Sequence, residues 1–143
     1  MRSIIHLLLR LCLLSAFAVT GAHASEGEGE SEKTASNSEY LDIKPALITN
    51  YGGAGPIHFL KAELTLRLSK DADASQLVMR HMPHIRHELI MLFSRQNEDN
   101  LTTMQGKEQL RQEALAAVQK ILQSEENKKL VDDLLFTNFV IQH

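Results

Sequence analysis

Alternating apolar residues give the clearest strand pattern in the chain. In the run Ile57–Leu68, leucine and alanine take every second position from Leu60 onward, and polar residues take the positions between them. A period of two separates side chains onto the two faces of a strand, so one face is expected to be buried and the other wet. Tyr40–Asn50 has a weaker apolar pattern with Pro45 inside it. Because proline cannot donate a ladder hydrogen bond, Tyr40–Asn50 is predicted to be an edge or bulged strand.

A helical period replaces the strand period after Leu68. Apolar residues then recur at spacings of four and three, which predicts an amphipathic helix to about Phe93. Pro83 lies within it, and it either kinks this helix or belongs to the first turn of a second one. The apolar stripe consists of Val78, Met82, Ile85, Leu89 and Leu92.

A further helix is predicted after the polar run Asn97–Asn100, which breaks the apolar pattern. Thr102 and Gln105 have the spacing of a capping box, so this helix is expected to begin at Thr102 and to run to about Gln123. Its apolar stripe consists of Leu110, Ala114, Ala117, Val118 and Ile121.

The last element is a strand over Leu130–Gln142. Apolar residues occupy both odd and even positions of this strand, so they fall on both of its faces. This pattern predicts a central strand that is buried on both faces. The order is therefore strand, strand, helix, helix, strand. This order indicates a small α+β fold, with a mostly antiparallel sheet and two main helices on one of its faces.

The N-terminal segment has the features of an export signal. Met1–Ala24 begins with a basic residue, continues with an apolar stretch, and ends with Ala22 and Ala24 in a small-x-small motif that places cleavage before Ser25. The alternative is a retained single-pass anchor, which needs about 20 predominantly apolar residues, whereas Arg10 interrupts this stretch. Both alternatives place the rest of the chain on the periplasmic side of a bacterial inner membrane.

Charge and cysteine content narrow the function further. Residues 25–39 are rich in Glu, Gly and Ser, which predicts a disordered acidic tether before a single domain at 40–143. The whole chain has a net charge of −3, so a basic surface for nucleic acid is excluded. The single cysteine, Cys12, lies in the first segment, which excludes disulfides and thiolate metal sites from the domain.

Histidines are the only candidate metal ligands. His81, His84 and His87 recur every three residues, so on a helix the outer two diverge by about 120° and the three cannot converge on one tetrahedral ion. Asp132 and Asp133 are adjacent on a strand and face opposite sides, so they do not form an acid–base pair. We predict no catalytic, metal or cofactor-binding residue. The alternative is an exported histidine-based module that binds a metal or senses pH.

Four motifs occur in order along the predicted domain. They are Tyr40–Pro45 (YLDIKP), Pro83–His87 (PHIRH), Gly106–Glu113 (GKEQLRQE) and Phe136–Gln142 (FTNFVIQ). Together they resemble the periplasmic domain of the flagellar basal-body-associated FliL family. The resemblance implies a stomatin-like fold in a non-enzymatic protein without a cofactor. It also implies association with the inner membrane and rings of copies around the flagellar stator units, in support of stator function, rotation, swarming and chemotaxis.

Two features depart from the family pattern. The first segment reads as cleavable where the family has a clean anchor, and cleavage would make this chain a soluble paralogue. His87 follows Arg86 where the family usually has an acidic residue.

Besides the histidine-based module, a second alternative function is a periplasmic scaffold unrelated to flagella.

The candidate protein-contact face is the wet side of the second strand. Its charges alternate, which suits contact with oppositely charged neighbours, whether copies of the chain or proteins of the stator and basal body. It consists of Lys61, Glu63, Thr65 and Arg67.

Overall fold

The computed structural model describes residues 38–53 and 56–142. The elements are β1 (Tyr40–Tyr51), β2 (His58–Leu68), α1 (Ala74–Arg80), α2 (Met82–Ser94), α3 (Glu98–Thr102), α4 (Met104–Glu126) and β3 (Val131–Gln142). The predicted α+β class is confirmed, with short helices α1 and α3 in addition to the two main ones. The predicted cleavage residues Ala22, Ala24 and Ser25 lie outside the described residues, as does the predicted tether up to residue 37.

The three strands form one antiparallel sheet in the order β1-β2-β3. The prediction that β3 is central and buried on both faces is therefore wrong, because β2 is central and β3 is an edge strand. Leu135 and Val140 of β3 are 37% and 39% exposed. Apolar residues on both parities show only that both faces carry apolar side chains, and they do not show that both faces are covered.

Both edge strands bend beside the middle of β2. The register of β1 shifts between Ile43 and Leu47, around Pro45, which confirms the predicted bulged edge strand. The Lys44–Pro45 bond is cis. The register of β3 shifts opposite Glu63 and Leu64, at the same level of the sheet. Bulges increase local twist, so the sheet is bent across its centre.

The proline in the helical region begins a new helix. α1 ends at Arg80, and His81 separates it from α2, whose first turn contains Pro83. The second of the two alternatives for Pro83 is therefore confirmed. The predicted stripe faces the core, with Val78 and Ile85 fully buried.

The predicted capping box at the next helix is wrong by one residue. Thr103, not Thr102, caps α4, because its hydroxyl oxygen accepts a hydrogen bond from the Gly106 amide at 3.1 Å. Thr102 instead ends α3, where its hydroxyl donates to the Glu98 carbonyl at 2.9 Å. α3 forms because Asn97 accepts from the amide of Asn100 and so caps it.

The core lies between one face of the sheet and the helices. Leu60, Ala62, Leu64, Leu66 and Leu68, the inward set of β2, are all at most 2% exposed. Helices α2 and α4 cover them, and α4 ends at Asn127 in the left-handed conformation that closes many helices. Within the described ranges, no helix combines the length and apolar character needed to cross a membrane. The other face of the sheet stays open over this part of the chain.

Candidate functional surface

The open face of the sheet, called the outer face below, draws residues from all three strands. The register places Lys61 opposite Ile48 on β1 and Val140 on β3. Opposite residues of antiparallel strands point to the same face, so the register defines the whole set. The outer face consists of Tyr40, Asp42, Ile48 and Asn50 of β1, Phe59, Lys61, Glu63, Thr65 and Arg67 of β2, and Asp133, Leu135, Asn138, Val140 and Gln142 of β3.

The structure places all four predicted contact residues on this face, but not in equivalent environments. Lys61 is exposed, Glu63 and Arg67 are half-buried, and Thr65 is only 8% exposed. The Thr65 hydroxyl donates to Asp42 Oδ1 at 2.8 Å. Thr65 therefore orients a neighbouring carboxylate and presents little of itself to a partner.

Carboxylates at the centre of the outer face are held ionised by their neighbours. The hydrogen bond from Thr65, followed by that from Lys44, lowers the pKa of Asp42. The hydrogen bond from Lys61, whose Nζ lies 2.9 Å from Glu63 Oε1, lowers the pKa of Glu63. Each acid thus has a basic neighbour in the same molecule, and the outer face presents paired charges at neutral pH.

A charge network connects one end of the outer face to helix α4. Arg67 lies 4.0 Å from Asp133, which also binds the guanidinium of Arg111 from α4. Arg111 contacts Glu108 at 2.6 Å, and this bond lowers the pKa of Glu108 to about 2 and raises that of Arg111. Since Arg111 also donates to the Leu134 carbonyl at 3.1 Å, it fixes α4 against β3.

The opposite end of the outer face is apolar. Ile48 is 63% exposed and Phe59 44% exposed. Val140 shares this end of the face, on the other side of Lys61 from Ile48. With Lys61 and Gln142 these residues line a shallow depression of about 280 Å³. Sequence reasoning missed this patch because its members come from three strands. The sequence did contain a signal, because β3 has apolar residues at both odd and even positions. We interpreted that pattern as burial of both faces of the strand.

His81, His84 and His87 lie in different environments. His81 Nε2 lies 2.6 Å from Glu126 Oε1, and Arg80 reaches the same oxygen at 3.3 Å. These contacts, the His81 hydrogen bond first, lower the pKa of Glu126. His84 and His87 are exposed. Across residues 38–53 and 56–142 there is no group of three or more histidine, cysteine or acidic side chains arranged to hold a metal ion.

Residues 40–142, which span all three strands and the four described helices, match the family model described as flagellar basal body-associated protein FliL. The chain belongs to the FliL family. The flagellar protein FliL of Escherichia coli K12 is 25% identical over 139 residues, which cover 97% of this chain and 88% of that protein. The FliL protein of Shigella flexneri has the same identity and coverage. The outer face is therefore a surface of a FliL domain, in a family associated with the flagellar basal body.

Proposed function

We propose that this FliL protein is a non-enzymatic accessory of the flagellar motor that supports stator function and motility through protein contacts, including contacts between its own copies. Membership of a basal-body-associated family carries the proposal. The open outer face supports it, since exposed apolar residues that cluster beside paired charges are typical of protein-interaction surfaces.

The domain acts on the periplasmic side of the inner membrane in this proposal. Residues 25–39 form the tether, and residues 1–24 either anchor the protein or are removed before Ser25. Intact-mass measurement of the protein recovered from the cell envelope distinguishes the two. A mass that begins at Ser25 makes the protein soluble in the periplasm, and a mass that retains residues 1–24 makes it anchored.

The contact surface in this proposal is the outer face, with Lys61 and Arg67 as its accessible cations. Glu63 balances Lys61 and Asp133 balances Arg67 within the molecule. A partner that displaces either pairing must supply its own carboxylates. Charge reversal at Lys61 and Arg67 places negative charge opposite the partner's carboxylates. It is therefore expected to weaken the contact without disturbing the core.

The test is complementation of a deletion strain, scored by swimming-halo radius and by the number of fluorescent stator units at each motor. We expect deletion to reduce both, and the double variant Lys61→Glu, Arg67→Glu to restore them only partly. The matched control is Lys70→Glu, Lys120→Glu, which reverses the same charge at two exposed lysines outside the sheet. Normal motility and stator number in the deletion strain would overturn the proposed function. Full restoration by the outer-face variant would overturn only the assignment of the surface.

A further inference from the structure

A groove lies between the first turns of α4 and the edge strand β3. It has a volume of about 560 Å³, it is open to solvent, and most of its surface is apolar. Met104, at the first position of α4, is 90% exposed, and Leu135 of β3 is 37% exposed. Exposed apolar side chains grouped in a concave surface are typical of a site where a partner docks. The groove is lined by Met104, Lys107, Glu108 and Arg111 of α4 and by Leu135 and Phe136 of β3.

The two cations of the groove differ in what they bind. Arg111 is held by the carboxylates of Glu108 and Asp133. Lys107 is half-buried, and its Nζ lies 5.4 Å from the centre of the Phe139 ring, which is the geometry of a cation–π contact. Within the described parts of the chain, no carboxylate pairs with this ammonium group. The groove therefore contains one cation whose charge is not balanced by a neighbour.

The edge of β3 beside the groove is already partly occupied. Arg111 donates to the Leu134 carbonyl at 3.1 Å, and Gln119 donates to the Val131 carbonyl at 2.9 Å. These carbonyl groups are ones that an added strand would need, so the groove is suited to side chains rather than to a pairing backbone. The lining residues of α4 have the spacing i, i+3, i+4 and i+7, which spans about 10 Å along the helix axis. About two turns of a second helix would cover them.

We propose that this groove binds an amphipathic helix of another protein, with apolar side chains against Met104, Leu135 and Phe136 and a carboxylate paired with Lys107. Helices that dock in grooves use anchors at such helical spacings. A carboxylate is the complementary group because an ion pair with a partly desolvated ammonium is stronger than one in water. The inference rests on the protein contacts of the proposed function, and it adds a second surface that meets the outer face at Leu135.

The helices of a second copy do not carry the required face. Over the described ranges, each helix has at most one exposed large apolar residue, which is Met79 on α1, Met91 on α2 and Met104 on α4. A helix in a groove needs several apolar anchors on one side. A fatty acid has the same combination of apolar chain and carboxylate, but such small ligands are held in sites that bury most of their surface, whereas this groove is open. The occupant is therefore a helix from another protein.

Methionine-methyl NMR of the purified full-length protein tests the site. The chain has five methionines, so carbon-13 methyl labelling gives few signals, and the signal of Met104 is assigned by its loss in Met104→Leu. The probe is a helical peptide of about 15 residues with leucines at i, i+3 and i+7 and a glutamate at i+4. We expect this peptide to shift the signal of Met104 and to leave those of Met79 and Met91 unchanged, although both are exposed.

Charge exchange at Lys107 tests the carboxylate. The matched peptide has lysine in place of the glutamate, and we expect the protein to bind the glutamate peptide at least fivefold more tightly. Lys107→Glu is expected to reverse this preference, and Lys107→Met to bind both peptides equally. The control is Lys120→Glu, which reverses an exposed lysine of the same helix outside the groove and is expected to keep the preference. If Lys107→Glu does not fold, Lys107→Met decides alone.

Several results would overturn the proposal. A Met104 signal that does not move with the glutamate peptide at about 1 mM would show that the groove binds no such helix. Equal shifts of Met79, Met91 and Met104 would show unselective apolar contact. An unchanged preference in Lys107→Glu and Lys107→Met, or a lost one in Lys120→Glu, would remove Lys107 from recognition. A Met104 signal that moves when the protein alone is concentrated would identify a second copy as the occupant, and an equal response to sodium laurate would identify an acyl chain.

These outcomes are separable from those of the proposed function. Selective binding of the glutamate peptide at Met104, in a protein whose deletion leaves motility normal, supports the groove and overturns the motor role. Reduced motility on deletion, with a protein whose Met104 signal does not respond to the peptide, supports the motor role and overturns the groove.

Discussion

The two faces of the sheet are built by the same strands and differ in what covers them. On the inner face, alternate residues of β2 are almost completely buried under α2 and α4. On the outer face, Lys61 pairs with Glu63 of the same strand and Arg67 pairs with Asp133 of β3. Ile48 and Phe59 remain exposed there. The inner face therefore contains the buried apolar contacts, and the outer face is open over the described residues. The same alternation in sequence produces both, and the difference lies in what covers each face.

The largest expected effect comes from opening the inner face. Leu64 is 2% exposed at the centre of β2, and Leu64→Ala is expected to lower the free energy of unfolding by about 2–5 kcal/mol because it leaves a cavity. Ile48→Ala, at a position 63% exposed on the outer face, is expected to change it by less than about 0.5 kcal/mol. Urea denaturation measures both. Similar losses in the two variants would remove the distinction between the faces.

A second change tests how tightly the helical layer is packed. A Cβ atom on Gly106 lies 2.4 Å from the carbonyl oxygen of Asn100, which is backbone and cannot rotate away. Gly106→Ala is therefore expected to push α3 from α4 and to lower the free energy of unfolding by about 1–3 kcal/mol. The exposed neighbour Gln105 provides the control, since Gln105→Ala meets nothing. A neutral or stabilising Gly106→Ala would contradict this close packing.

A third change compares the ion-pair network that joins α4 to the sheet with a single exposed pair on the outer face. Arg111→Met removes the bonds to Glu108, Asp133 and the Leu134 carbonyl, and it is expected to lower the free energy of unfolding by about 1–2 kcal/mol. Lys61→Met removes one exposed pair, with an expected loss of about 0–1 kcal/mol. Thermal denaturation of both variants makes the comparison. Equal losses would mean that Arg111 does not hold α4 to β3.

The smallest effect is expected in acid. The pKa of Glu108 is about 2 in the folded protein, against 4.5 ordinarily, because of Arg111. The folded state therefore binds fewer protons than the unfolded state between these values, so stability rises with pH across that range. The contribution is complete above 4.5 and is lost as the pH falls towards 2. Glu108→Gln and Arg111→Met are both expected to reduce the change of the melting temperature with pH in this window. An unchanged pH profile in both variants would contradict the pairing.

Periodicity predicted the elements that bury one face. The alternation of β2 and the stripe from Val78 to Leu89 could be interpreted correctly because each pattern records a single covered side. The capping of α4 was harder, since Thr102 and Thr103 are adjacent and only Thr102 has a glutamine three residues on. The structure selects Thr103 because Thr102 is still the last helical residue of α3, whereas Thr103 has the extended backbone of an N-cap.

The candidate surface could be predicted only in part. Strand parity was sufficient to place Lys61, Glu63, Thr65 and Arg67 on one face. Ile48 and Val140 could not be added to them, because their positions depend on the register of β1 and β3 against β2. That register is a tertiary property, fixed by bulges and by packing far along the chain. The same limit explains why β3 was predicted to be central.

The position of β3 in the chain also has consequences for folding. β1 and β2 form a local hairpin, whereas β3 must return to β2 across residues 69–130, so its pairing carries a much larger loop-closure entropy and is expected to occur late. Until it arrives, the side of β2 that it will occupy is vacant. At high concentration the β3 of a neighbouring molecule fits that vacancy equally well, so we expect exchanged strands after rapid concentrated refolding. The speed and dilution of refolding would then determine which partner β2 acquires.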